Sequence, residues 1–430
     1  MKKILIISWY FPPNSSIGSQ RVKAFAEFLI QKGHPVYVIT VKHNNSHDQT
    51  SIPEGITKMF EVKEFNFIQY LKQKLSTTNV TLTKIKKEQG KGGSRTKLKI
   101  QKYVKSWIRT ICYWPDASFL WFFLNKSKFQ AIINDIKPDI IFSSATPHTC
   151  HLIAGYLSKK NAIPWVAEFR DLWSQNNVWK RAFPLNLLDR WIEKKVMKPA
   201  SFLATVSETL KKDLEFLHKK ECLTVMNGFT LKKWQEVVAA RECSNTNEIV
   251  IRYMGKLYDG RRCPKLLFDA LNEIKLKKIN IKLEFYVMDP DYLYELLSQY
   301  SQLSGCISIH PVVSYEESLS LQQTADINLL LEENTLKAKG NLTGKLFEYL
   351  CAKRPILAIA HPESEIKTVL DETRMGQLLN NKSEIIAFLE QKVTEKELAG
   401  KCLVKINKKN ILMYSREAQY EILYKKLKQV

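Results

Sequence analysis

Gly255 and Lys256 close an apolar run, and Arg261 and Arg262 stand just ahead of Pro264, a residue suited to the first turn of a helix. Cations grouped at such a turn stabilise an anion. They do most for a departing diphosphate, whose charge grows as its bond breaks. The same residues would equally make a solvated basic turn. Further on, Thr343 can cap a helix whose free N–H groups face a phosphate or sugar hydroxyls. Glu348 follows about one and a half turns in, among Leu346, Phe347 and Leu350, and its carboxylate can accept two hydroxyls of a ribose. Lys345, on a neighbouring face, is a candidate diphosphate contact. Thr343, Gly344, Lys345 and Glu348 are thus candidate binding residues, against the plain alternative of a carboxylate on a wet helix face.

The first half of the chain offers a second set. Gly18 lies in a loop between an apolar run and a helix start. There a missing Cβ lets a ligand approach the backbone, and a helix N-terminus favours an anion. The loop lacks Gly-x-Gly-x-x-Gly, and Gly18 would serve as well as a turn former. Arg21 follows within the helix. Glu168-Phe169-Arg170-Asp171 leaves a strand end, where open parallel sheets bind ligands. Two acids around an arginine could orient acceptor hydroxyls, with Asp171 the candidate catalytic group; alternatively, Arg170 bridges its own neighbours and fixes the loop. His148 and His151, on a loop and helix start, are candidates to touch a substrate, although a single histidine is more often structural. The eight histidines otherwise lack metal-ligand spacing, so no metal is expected.

Holding these residues requires two sheets. Ile4–Ser8, Val36–Thr40, Ile140–Ser143, Trp165–Ala167, Phe202–Val206 and Leu223–Met226 read as strands, with helices over Val22–Ile30 and starting near Pro147, Leu185 and Ser207. The alternation then restarts: strands at Glu248–Met254, Ile281–Val287, Ile307–His310, Asp326–Leu331 and Pro355–Ala360, with helices between them. This predicts an α/β chain of two Rossmann-like, doubly wound parallel-sheet domains. The expected domains are residues 1–227, bearing a basic insertion at 84–109, and residues 228–413. A last helix in 414–430 would pack back on the first domain.

Composition narrows the partners. The chain has 66 Lys+Arg against 43 Asp+Glu, a net charge of +23, which attracts nucleic acid, anionic lipid or phosphorylated substrates. No zinc-finger, RNA-recognition or helix-turn-helix signature supports nucleic acid, so none is expected. From Lys84 to Arg109 there are ten Lys/Arg and one acidic residue, Glu88. Ile100, Tyr103, Val104, Trp107, Ile108 and Ile111 fall on one helical face, which suits either a membrane interface or packing on the first domain. No apolar stretch is long enough to span a bilayer: Pro115 and Asp116 break the longest candidate, Ile111 through Leu124. The N-terminal apolar run is too short for a signal peptide before Pro12-Pro13. The eight cysteines are scattered with no Cys-x-x-Cys pair, as in a reduced, cytoplasmic protein.

Several segments, in order, carry a family resemblance. They are Ile4-Leu5-Ile6-Ile7-Ser8-Trp9-Tyr10-Phe11-Pro12-Pro13 leading into Gly18-Ser19-Gln20-Arg21, Lys32-Gly33-His34-Pro35-Val36, Ala167-Glu168-Phe169-Arg170-Asp171-Leu172-Trp173, Thr205-Val206-Ser207, Met226-Asn227-Gly228-Phe229, Tyr253-Met254-Gly255-Lys256-Leu257 and Thr343-Gly344-Lys345-Leu346-Phe347-Glu348-Tyr349-Leu350. Together they resemble glycosyltransferase family 4, retaining enzymes of the GT-B fold, in its bacterial polysaccharide-assembly branch. The resemblance implies two Rossmann-like domains facing a central cleft. It also implies a UDP- or GDP-linked sugar as co-substrate with no cofactor or metal, and an acceptor that is a lipid-linked saccharide for capsule or O-antigen. The protein would then work in the cytoplasm, peripherally on the anionic inner face of the plasma membrane. Lys256 matches the family's first basic residue after the glycine, and Arg261 or Arg262 the second. Glu348 matches the ribose-binding glutamate. Gly18, and with less weight Arg21, match the loop beside acceptor and donor phosphates. Retaining enzymes of this fold pass the acceptor proton largely to the donor phosphate, so no protein nucleophile is required. The chain departs from the pattern at Gly340, where relatives carry a first glutamate, and at the strand ending Phe142-Ser143-Ser144, where they carry a histidine. The departure at Gly340 leaves room for a GT-B epimerase or an inactive scaffold, and Glu332 or Glu333 could supply a carboxylate instead.

Overall fold

The computed structural model describes residues 1–14, 16–42, 50–65, 116–176, 183–237, 248–275 and 280–430. The basic amphipathic helix expected within 84–109 lies outside them. The chain divides into two compact units, one of Met1–Val206, Leu210–Thr224 and Leu423–Val430, the other of Ser207–Thr209 and Val225–Ile422.

The first unit is built on a parallel sheet of seven strands, β1 (Ile4–Ser8), β2 (Val36–Val41), β3 (Lys58–Val62), β4 (Ile140–Ala145), β5 (Trp165–Phe169), β6 (Phe202–Thr205) and β7 (Cys222–Thr224), in the order β3-β2-β1-β4-β5-β6-β7. Central strands β1, β4 and β5 are buried at every position, as strands covered on both faces are, the polar Ser143, Ser144 and Glu168 included. The connecting helices are α1 (Ile17–Gln31), α2 (Phe119–Ile136), α3 (Thr149–Asn161), α4 (Leu185–Met197) and α5 (Glu208–His218). Register aligns Ser8 with Ser144 and Ser144 with Glu168, so three polar side chains share one row at the carboxyl ends of the strands.

The second unit repeats the plan. After α6 (Leu231–Glu236), its strands β8 (Ile249–Met254), β9 (Ile281–Tyr286), β10 (Ile307–His310), β11 (Ile327–Leu331), β12 (Ile356–Ile359) and β13 (Gly376–Leu378) lie in the order β10-β9-β8-β11-β12-β13. Its helices are α7 (Lys265–Lys275), α8 (Asp291–Leu297), α9 (Tyr315–Thr324), α10 (Gly344–Ala352), α11 (Glu365–Thr373), α12 (Lys382–Ala399) and α13 (Lys408–Met413); α14 (Arg416–Leu427) is divided between the units. Strand order reverses at β8 and β11, the topological switch point where open sheets leave a crevice. Two doubly wound parallel sheets are the two-Rossmann pattern of the GT-B fold. Among the described residues no helix is long and apolar enough to cross a membrane.

Candidate functional site

The switch point of the second unit gathers the residues with most chemistry. Gly255 follows β8 directly, with φ +124°, a conformation that side chains rarely adopt, and a Cβ there would lie 2.9 Å from Lys345 Nζ. Lys345 reaches this point from the first turn of α10. Its ammonium donates to Tyr253 Oη at 3.1 Å and sits 4.4 Å from that ring's centroid. Among the described residues no carboxylate pairs with it. Burial and the nearby Arg262 guanidinium push its amine down to about 7, against the pull of Glu332 and Glu348. Arg262 itself is bidentate to Glu332, at 2.7 and 3.2 Å, and covers Tyr258. The site therefore holds one neutralised cation, Arg262, beside one, Lys345, that pairs with no carboxylate among the described residues.

Glu348 lies one turn further along α10 and is half-buried. Gln322 on α9 donates to its Oε2 at 3.5 Å. Burial holds its carboxyl above the usual range, opposed by Gln322, Arg416, Lys233 and Lys345. Thr343 occupies the N-cap of α10, and its hydroxyl makes no capping bond to the helix's first N–H groups; the Leu346 N–H donates to the Thr343 carbonyl at 3.2 Å. Arg261 is exposed and paired with Glu333 at 2.7 Å. Lys256 is exposed; its carbonyl accepts from Tyr253 Oη at 2.8 Å, and its ammonium makes no ion pair among the described residues. Glu332 and Glu333, considered as substitutes for the missing glutamate, spend their carboxylates on the two arginines. Gly340 is buried. Sequence reading missed Tyr253 and Gln322, whose only signals were a tyrosine two residues before the glycine and a polar residue on an exposed-looking helix.

The first unit has its own cluster. Arg21 on α1 forks onto Glu168 Oε1 at 2.8 and 3.0 Å, and Ser144 donates to the other oxygen at 2.6 Å. Arg21 and Glu168 are 5% and 2% exposed, so their charges are spent on each other, tying α1 to β5 inside the unit. Arg170 donates to the carbonyls of Ala145 and Thr146 at 3.0 and 2.6 Å, which fixes the loops after β4 and β5 together. A Cβ on Gly18 would come 2.1 Å from Arg170 Nη1, so this glycine makes room for the guanidinium at the start of α1. Asp171, next in sequence, is exposed. His148 is buried and stacks on Trp173 at 5.0 Å. His151 is wholly buried in the core: Trp165 donates to Ser143 Oγ at 2.7 Å, and that hydroxyl meets His151 Nδ1 at 2.8 Å. Burial, then His148, His218 and Arg170, hold His151 well below its usual pKa, so it stays neutral as a core residue. Among the described residues no three His, Cys, Asp or Glu converge as a metal site would need.

No family model and no curated protein matches the chain. Solved structures match over its full length. Sucrose-phosphate synthase from Thermosynechococcus elongatus is 14% identical with a TM-score of 0.63, the match covering 99% of each chain. HepE from Anabaena, in complex with UDP and glucose, is 11% identical with a TM-score of 0.64, covering 100% of both chains. A glycosyltransferase from Rickettsia africae is 13% identical with a TM-score of 0.62, covering 100% of this chain and 98% of that one. At such identities the likeness is one of fold.

Proposed function

We propose that the chain moves a sugar from a UDP- or GDP-linked donor to an acceptor hydroxyl, with retention at the anomeric carbon. The observation that carries this reading is Lys345: a half-buried amine in no ion pair among the described residues, beside Arg262 and a glycine that permits close backbone approach, with Glu348 one turn away. A diphosphate supplies the missing negative charge, and its ribose supplies hydroxyls to Glu348. Arg262, Lys256, Arg261 and the N-terminus of α10 at Thr343 and Gly344 add to the field that stabilises the departing diphosphate. Similar folds solved with UDP support the nucleotide. On the first unit, Gly18, Arg170, Asp171 and His148 are the residues we assign to the acceptor side, with Arg21, Glu168 and His151 holding their frame. Asp171, exposed at a strand end, is the group we assign to orient the attacking hydroxyl. The acceptor is a lipid-linked saccharide in cell-surface polysaccharide assembly, met at an anionic membrane that the +23 charge favours.

The test is a thermal-shift screen across nucleotide sugars, followed by incubation of the stabilising donor with and without saccharide acceptors. Stabilisation by one donor class and acceptor-dependent release of nucleoside diphosphate are expected. Epimerised donor released without acceptor would replace the reading with an epimerase, and no stabilisation by any donor would end it.

A further inference from the structure

Helix α4 packs Ile192, Val196 and Met197 on the core of the first unit, but it buries acids and exposes apolar groups beside them. Its two acids, Asp189 and Glu193, are buried at 2% and 1% exposure. Glu193 accepts from the Ser174 backbone N–H at 2.9 Å and pairs with His218 at 3.1 Å. Three of its large apolar side chains instead face water: Leu187, Leu188 and Trp191 are 57%, 40% and 58% exposed, and Phe183 just ahead of the helix is 70% exposed. Every exposed charge along the helix is basic, namely Arg190, Lys194 and Lys195, with Lys198 following. Lys195 lies 4.8 Å from the Trp191 ring centroid.

An exposed apolar patch of this kind costs free energy unless something covers it. We infer that α4 lies in the headgroup region of an anionic membrane, inserting Phe183, Leu187, Leu188 and Trp191 while Arg190, Lys194, Lys195 and Lys198 engage lipid phosphates. Three features select this occupant. A tryptophan beside lysines is suited to a surface that is apolar below and charged above, because lysine stems run along apolar groups while their ammonium heads stay out. The helix, about 20 Å long, is too short to span and so lies flat. A second copy docked on the same face would set four cations against four, with no exposed carboxylate on either helix to answer them. The inference names the surface for the membrane encounter proposed above and rests on that part of the proposal.

The test is co-sedimentation of the full chain with vesicles of phosphatidylglycerol and phosphatidylcholine, against phosphatidylcholine alone. The wild type should bind the anionic vesicles. A triple variant, Leu187→Ser, Leu188→Ser and Trp191→Ser, should bind them at least about tenfold more weakly, as should Lys194→Gln with Lys195→Gln and Lys198→Gln. Both variants should keep the wild-type melting temperature and its stabilisation by nucleotide sugar, since exposed positions tolerate such changes. If the wild type binds and both variants bind equally well, α4 is not the surface while membrane docking stands. If the wild type ignores anionic vesicles, both ideas fall, leaving the donor site untouched. A lowered melting temperature in the serine variant, or a wild-type dimer that it dissociates, would show the face covered by protein and overturn the inference.

Discussion

At the scale of single residues, the proposed donor site turns on Lys345 and Glu348, and each makes a distinct prediction. Glu348→Ala should weaken nucleotide-sugar binding by about 1.5–3 kcal/mol, the value of charge-assisted hydrogen bonds to two hydroxyls. Calorimetry reads this directly, and unchanged affinity would remove Glu348 from the ribose. Lys345 makes a pH prediction. In the free protein its amine titrates at about 7, because desolvation and Arg262 oppose its charge. A bound diphosphate favours the ammonium and raises that value. Binding therefore takes up a proton above pH 7, and affinity should be greatest below that pH. It should then fall by up to about tenfold per pH unit until the bound-state pKa is passed. Calorimetry at pH 8 in buffers of different ionisation enthalpy should show proton uptake by the wild type and less by Lys345→Met. Equal uptake by both would place the titrating group elsewhere.

At the scale of elements, the strands that position the sites were legible because buried parallel strands read as continuous apolar runs. Ile4–Ser8 and Ile307–His310 have the bounds expected for them. The edges were not legible. β3, Lys-Met-Phe-Glu-Val, is half in water, and β13 has only three residues, so neither presents an apolar run. Helix α12 escaped notice because its apolar and polar residues do not segregate into one stripe, although Asn381 caps it cleanly. The sites were legible as residue types but not as pairings: nothing in sequence says that Arg21 is consumed by Glu168, or Arg262 by Glu332. The role of Gly18 is a pairing of the same kind, and it can be measured. Arg170 is pinned by two carbonyls and cannot simply swing aside from a new methyl group. Gly18→Ala should therefore cost about 1–3 kcal/mol of stability, as overpacking does. In an Arg170→Ala background the same change should cost much less. Additive effects in denaturant titrations of this double-mutant cycle would mean that Gly18 and Arg170 do not touch.

At the scale of the molecule, the fold persists where family-level sequence signal does not. Chains 11–14% identical share it end to end, because alternating buried strands and covering helices can be written in many apolar alphabets. The same scale reveals how the chain closes on itself. The first unit is discontinuous: it needs Leu423–Val430, the end of the chain, to complete it. Tyr424 Oη meets His34 Nε2 at 3.0 Å, its ring stands edge-on to Phe28, and Lys2 Nζ donates to the Val430 carbonyl at 2.8 Å. Leu423 and Leu427 are 0% and 2% exposed. Leu423→Ala should thus destabilise the chain by about 2–5 kcal/mol, with the loss falling on the first unit. The second unit's core, built around β8 to β12, contains neither leucine. Hydrogen exchange should therefore quicken in β1, β2 and α1 while the amides of β8, β9 and α10 keep their protection, and nucleotide-sugar affinity should hold. Uniform loss of protection in both units would instead mean that the two sheets unfold as one cooperative body.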